Sequence, residues 1–151
     1  AWAALDFAPP GEPQGCVVSE NWVTAVADGV VTYAGDGVVI LDLDGDGFEQ
    51  TGWSIFYLHI DSYQRVKAGT RVRAGDRLGH PSCEGGVSKA THVHIARRYN
   101  GEWISADGAL PFVMDGWVAQ SAGVAYDGVL VRGEQVVEAW DRFLPENQIR
   151  R

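Results

Sequence analysis

Apolar and polar positions along this chain alternate in short runs broken by Asp-Gly and Ala-Gly pairs, and such period-2 alternation marks half-buried strands. Helical periodicity is weak nearly everywhere. The pattern predicts strands over 22–26, 29–33, 38–43, 53–59, 77–79, 91–97 and 102–105, with shorter ones around 129–131 and 135–137. The 38–43 run is almost continuously apolar and is expected to be buried on both faces. Asp44-Gly45-Asp46-Gly47 follows it as the strongest turn signal, so 38–43 and 53–59 are expected to pair antiparallel. Glycines at regular offsets through 23–31 and 66–79 mark tight corners. The fold class expected is all-β, built from antiparallel sheet. Beyond Ser105 the pattern is least readable, and a final 138–144 stretch with Trp140, Phe143 and Leu144 is expected to form a short helix or a loosely held tail.

The length of 151 residues suits one domain, with the residues after about 106 as an extension of it. A net charge of −8, with no basic cluster beyond Arg71, Arg73, Arg77 and the Arg97-Arg98 pair, argues against a nucleic-acid partner. No apolar run is long enough to span a membrane and no signal peptide is visible. The chain opens at Ala1-Trp2 without methionine and already inside apolar sequence, so a trimmed or processed start is expected. A monomer is expected. Cys16 and Cys83 both lie in loops, which favours a disulfide and an exported protein over two free buried thiols.

The most informative chemistry lies in Thr91-His92-Val93-His94. Side chains at i and i+2 of a strand share a face, which sets the two imidazoles roughly 6–7 Å apart along the backbone. One could then bind a metal while the other reaches a water or substrate beside it. Paired histidines also occur as satisfied polar residues of a core or a wet sheet face. Asp6, in Ala4-Leu5-Asp6-Phe7-Ala8-Pro9, sits in an apolar run where an unpaired charge is costly to bury, so it needs a metal, an arginine or backbone amides. His59 lies inside Phe56-Tyr57-Leu58-His59-Ile60; taken alone it reads as a core histidine. His80, in Gly79-His80-Pro81, is expected to face solvent.

The 23–31 and 66–79 stretches resemble the two halves of barrel-sandwich hybrid domains, a duplicated hybrid motif found in biotinyl and lipoyl carriers, a sugar-transport phosphocarrier and the lysostaphin-type peptidases. Four segments in order narrow this. Leu5-Asp6-Phe7-Ala8-Pro9, Ala25-Val26-Ala27-Asp28-Gly29-Val30-Val31, Tyr57-Leu58-His59-Ile60, and Cys83-Glu84-Gly85-Gly86 through His92-Val93-His94 together resemble the lysostaphin, staphylolysin and β-lytic family of zinc endopeptidases, which cut peptide bonds of bacterial peptidoglycan. The resemblance covers roughly the first two-thirds of the chain. It implies Asp6 and His94 as zinc ligands and His59 and His92 as the catalytic pair acting on water and on the tetrahedral intermediate. It also implies a peptidoglycan peptide as substrate and a secreted or extracytoplasmic protein.

One departure is plain: the family's first ligand is a histidine upstream of the aspartate, and none precedes Asp6 here. That histidine is expected a few residues before Ala1, with His80 as a possible substitute; the alternative is a catalytically degenerate module that binds cell wall without cutting it. The carriers fit worse, because neither Lys67 nor Lys89 sits in a suitable hairpin tip, and a phosphocarrier has no use for Asp6. Asp42-Leu43-Asp44-Gly45-Asp46-Gly47 matches the opening of a calcium loop, but its twelfth position is Trp53 instead of glutamate, so an acidic turn is the default expectation. Trp22, Trp53, Trp103 and Trp117 are expected in the core, the alternative being that one of them lines the groove as a sugar-stacking platform.

Overall fold

The computed structural model describes residues 3–139 and 145–149. Its strands are β1 (Ala4–Phe7), β2 (Val23–Thr24), β3 (Gly29–Gly35), β4 (Val38–Asp42), β5 (Trp53–Leu58), β6 (Arg71–Val72), β7 (Arg77–Gly79), β8 (Val93–Tyr99), β9 (Glu102–Ile104), β10 (Val113–Met114), β11 (Trp117–Ser121), β12 (Gly128–Arg132) and β13 (Gln135–Glu138). One sheet runs β1-β8-β5-β4-β3-β6, with β9 added to β8; β10 to β13 form a second sheet and β2-β7 a two-stranded ribbon. Every pairing is antiparallel. The all-β expectation holds.

β4 and β5 pair as the pattern predicted, with Val38 opposite Leu58 and Asp42 opposite Ser54. Val39, Ile40, Leu41 and Asp42 are all buried, so this strand is covered on both faces. The turn signal between them is part of a longer connection over 43–52. Three differences have a common cause, which is ladder length. The expected 22–26 strand contracts to Val23–Thr24 beside a register shift, the 91–97 strand begins only at Val93, and β6 and β10 are two-residue ladders, too short to show alternation. β11 carries Ala, Gln and Ser, weak strand formers, although Trp117 and Ala119 alternate inward. The expected helix or tail at 138–144 falls largely outside the described residues; Pro145–Asn147 makes one short 3-10 turn.

The 23–31 and 66–79 stretches interlock through main-chain hydrogen bonds. Ala25 N–H donates to Asp76 O (2.8 Å), Gly75 N–H to Ala25 O (2.8 Å), Val31 N–H to Thr70 O (2.9 Å) and Gly69 N–H to Val31 O (2.7 Å). Beneath them Val31, Leu41, Tyr57, Ile60 and Leu78 form a core that also takes in Phe112 and Ala119, so the second sheet shares the apolar cluster of the first. Of the tryptophans expected inside, only Trp117 is fully buried. Trp103 remains 45% exposed, edge-on to Phe56 with the Arg98 guanidinium 4.0 Å above its ring.

Cys16 and Cys83 are disulfide-bonded, with Cα atoms 5.6 Å apart across 67 residues of sequence. The bond ties the 15–17 segment to the 82–86 loop. Thr91 ties the same segment to the start of β8, since its N–H donates to Gly15 O (3.0 Å) and its hydroxyl to Val17 O (2.6 Å). Replacing both cysteines by serine frees a loop of that length in the unfolded state and is expected to lower folding stability by about 2–4 kcal/mol, read as a fall in the urea midpoint with an m-value that rises as the unfolded chain expands.

Candidate active site

The site is built on β8 and its two neighbours. β1 pairs with β8 so that Asp6 stands directly opposite His94, and β5 pairs with β8 so that Leu58 stands opposite the same histidine. Directly opposed residues project from one face. Asp6 Oδ1 therefore lies 2.8 Å from His94 Nδ1, and His92, two residues back along the chain, brings Nε2 to 3.8 Å from the same oxygen. The expected shared face of His92 and His94 is found, although only His94 is within the strand proper.

His59 arrives by a different route. Continued alternation would aim it at the face opposite Leu58, but its backbone takes φ 68°, a conformation rare for a residue with a side chain. Its ring instead lies 4.5 Å from that of His92, and only 3% of the residue is exposed. This is a site histidine and also a buried one. Strained backbone of this kind persists where surrounding contacts hold it. The neighbours of His59 do so: Ser82 N–H donates to its carbonyl (2.8 Å), and Ile60 N–H donates to Gly37 O (2.9 Å).

Carbonyl oxygens fix the tautomers. His59 Nδ1 is 3.0 Å from Glu84 O and His92 Nδ1 is 2.8 Å from Ala90 O. A carbonyl only accepts, so both Nδ1 atoms carry the proton and both Nε2 atoms are left with a lone pair. Glu84 is itself locked, accepting from Ser62 N–H (2.6 Å) and from Arg65 Nη2 (3.1 Å). Gly37 and Gly85 pack backbone to backbone at φ 74° and 84°, and a Cβ at Gly37 would overlap the Glu84 carbonyl. Glu84 was part of a quoted motif, yet its service to His59 runs through a backbone atom, which no residue type announces.

Burial raises the carboxyl pKa of Asp6, but the His94 hydrogen bond and the His94, His92 and His59 charges outweigh it and hold the group below its usual value. For His59, burial and the neighbouring imidazoles of His92 and His94 prevail over the Glu84 carbonyl and Asp6, and its pKa is lowered. A neutral His59 is a ready proton acceptor near pH 7. His80 does not join. Expected to face solvent, it is buried (4% exposed), with Nδ1 2.8 Å from Asn21 O, Nε2 3.0 Å from Gln64 Oε1 and its ring 3.9 Å from that of Trp22. Its partners come from two loops that enclose it, one carrying Asn21 and Trp22 and the other Gln64.

The sequence model of Peptidase family M23 matches residues 10–106. The chain belongs to this family. Protease LasA of Pseudomonas aeruginosa is 33% identical over 96 residues, which is 59% of this chain and 23% of that protein, so the chain spans about a quarter of the length of this curated relative. Pseudoalterin, described as a novel M23 metalloprotease from the deep sea, superposes with a TM-score of 0.73 over 93% of this chain and 81% of its own at 23% identity, a likeness of fold. The catalytic domain of the antimicrobial peptidase lysostaphin from Staphylococcus simulans superposes at TM-score 0.51 and 25% identity, covering 70% of this chain and 75% of its own. M23 membership implies a metal cofactor.

A carboxylate oxygen and an imidazole nitrogen facing one another are donors that zinc accepts, so Asp6 and His94 fit a metal. They supply two donors, where a catalytic zinc site takes three protein ligands. Among the described residues the one cluster of three donors within 4.8 Å of each other is Asp42, Asp44 and Asp46, at the far end of β4.

The shifts give a pH prediction for the metal-free protein. The native state binds the His59 proton less tightly than the unfolded chain, so stability is expected to be full above about pH 6.5 and to fall as pH drops below it, with a further loss below about pH 3.8 as Asp6 protonates. Urea midpoints across pH 3–8 check this. His59→Gln should flatten the upper part of the curve and leave most of the lower part, to which the His94 bond and the His94 and His92 charges contribute more than His59 does.

Proposed function

We propose that this chain is the catalytic domain of a secreted zinc endopeptidase that hydrolyses peptide bonds in bacterial cell-wall peptidoglycan. The observation that carries the reading is the convergence of Asp6, His94, His92 and His59 on one face of the β1-β8-β5 ladder. Asp6 and His94 would hold the metal, with a third ligand, a histidine, upstream of Asp6. When bound, zinc lowers the pKa of a coordinated water toward 7 and polarises the scissile carbonyl.

The remaining work falls to this chain. His59, neutral and with Nε2 free, takes the proton of the attacking water and passes it to the leaving amine. His92, in the form that also carries a proton on Nε2, donates from that atom to the oxyanion that develops on the carbonyl, a contribution of a few kcal/mol where the donor is held in advance. Both rings are held in advance by carbonyl contacts, so little reorganisation attends the reaction. The next positions toward the opposite end of the same face are Phe56 opposite Ala96 and then Arg98 opposite Trp103. Ala96 is buried, whereas Trp103 is 45% exposed and the Arg98 guanidinium lies over the rings of Trp103 and Phe56, so this part of the face offers an extended wall peptide aromatic and cationic contacts. The disulfide supports a location outside the reducing cytoplasm.

The test uses the full-length protein, with zinc measured by elemental analysis and turnover by clearing of purified peptidoglycan. Asp6→Ala and His94→Ala are expected to lose both zinc and activity. His59→Ala and His92→Ala are expected to keep zinc while kcat falls about 10²–10⁴-fold. A wild-type protein that binds peptidoglycan but holds no zinc and releases no peptide overturns the enzyme reading in favour of a wall-binding module.

A further inference from the structure

Asp42 closes β4 with a side chain that is wholly buried, 0% exposed. Its Oδ2 accepts from Gly47 N–H at 2.8 Å, whereas its Oδ1, equally shut off from water, has no hydrogen-bond partner. A buried carboxylate oxygen without a donor is strongly penalised unless a positive charge lies beside it. No basic side chain among the described residues meets the need. Among the described residues none of the ion pairs includes Asp42, Asp44 or Asp46; Glu49 takes Arg98 (3.7 Å), and Arg71 passes Gly45 without pairing to the three.

Asp44 and Asp46, both exposed, bring further carboxylates to the same point, so that one oxygen from each of the three lies within 4.8 Å of the others. Phe48 N–H donates to Asp46 Oδ1 (2.8 Å) and Asp46 N–H to Asp44 Oδ1 (3.2 Å), which curls the loop around the cluster. Three negative charges so close, one of them unpaired in the interior, are complementary to a cation. The spacing, with aspartates at positions one, three and five and glycine at six, is that of an oxygen-ligand calcium loop.

We propose that Asp42, Asp44 and Asp46 form a calcium site that neutralises the buried Asp42 carboxylate and pins the 43–52 connection between β4 and β5. An all-oxygen donor set selects a hard cation over zinc, and a flexible loop suits calcium better than the strict octahedron of magnesium. Trp53 stands where a full loop carries a bidentate glutamate, so the site belongs to the weak range of extracellular modules, with Kd of about 10⁻⁴–10⁻³ M. It lies at the opposite end of β5 from His59, roughly 20 Å away along the strand, and is independent of the zinc reading.

Trp53, at the end of the loop, is an antenna for terbium. The full-length protein, stripped of calcium on a chelating resin and reloaded with zinc, is titrated with Tb³⁺ under tryptophan excitation, then with Ca²⁺ in competition. Expected are saturable sensitised emission, its displacement by calcium, and a thermal midpoint raised by about 5 °C at tenfold excess over Kd. The Asp44→Asn/Asp46→Asn pair should lose the emission and the shift while keeping the calcium-free midpoint and the zinc content. Asp42→Asn should lose the calcium response and melt, in calcium-free buffer, no lower than wild type, because it removes the unpaired buried charge. Absence of saturable emission and of any calcium shift up to about 10 mM overturns the proposal. So does a shift of equal size in the Asp44/Asp46 variant.

Discussion

The register of β8 against β1 on one side and β5 on the other is the constraint on which the candidate site depends. Side chains alternate with period two, so a slip of one residue on either ladder would carry Asp6 or Leu58 to the core face and empty the position opposite His94. Burial resists that slip. Ile95 and Tyr57 stand opposite one another on the inner face, and Tyr57 is anchored further because its hydroxyl accepts from Val26 N–H at 3.0 Å. The apolar core and the polar site are thus two faces of one pairing decision, and the sequence could not shift one without losing the other.

Around that ladder the second requirement is orientation, and it is met by backbone far more than by side chains. Glu84 and Ala90 present carbonyls to the two free-standing imidazoles, and these loops are held by Arg65, Ser62, Thr91 and the Cys16–Cys83 bond. The disulfide therefore does more than stabilise a fold of this size. It fixes the 82–86 loop against the 15–17 segment on one side of His59, while the Gly37–Gly85 contact fixes it from the other. The left-handed backbone at His59 is the counterpart of this bracing: a histidine that would otherwise point inward is turned to the outer face and kept there.

What could be read from the sequence follows from the same division. Strands long enough to show a pattern, 29–33 and 53–59, were legible, as was 38–43 through its unbroken apolar run; the common face of His92 and His94 was legible because a period of two survives without tertiary context. Two-residue ladders carry no period, so β6 and β10 were not. His80 was misjudged because its position between glycine and proline signals a loop, and a loop residue was taken for an exposed one; Trp22, Asn21 and Gln64 instead enclose it. Trp103 erred in the opposite direction, a large apolar side chain left half in water at the edge strand beside Arg98. Residue type sets a preference for burial, and neighbours distant in sequence decide it.

Asp6 and Asp42 show how differently one residue type can be accommodated on one sheet. Asp6 stands where three imidazoles surround it, and its negative charge is stabilised even though burial opposes it. Asp42 stands on β4, two strands beyond β8 in the same sheet, where the residue opposite it on β5 is Ser54 and its carboxylate accepts from a backbone amide, that of Gly47. A fold selected for packing alone would favour an apolar side chain at that position, as it does at Val39, Ile40 and Leu41 just before it. That a charge is kept there, at the head of a loop with two further carboxylates curled toward it, is the physical reason to look for a cation at the far end of the hairpin whose near end delivers His59.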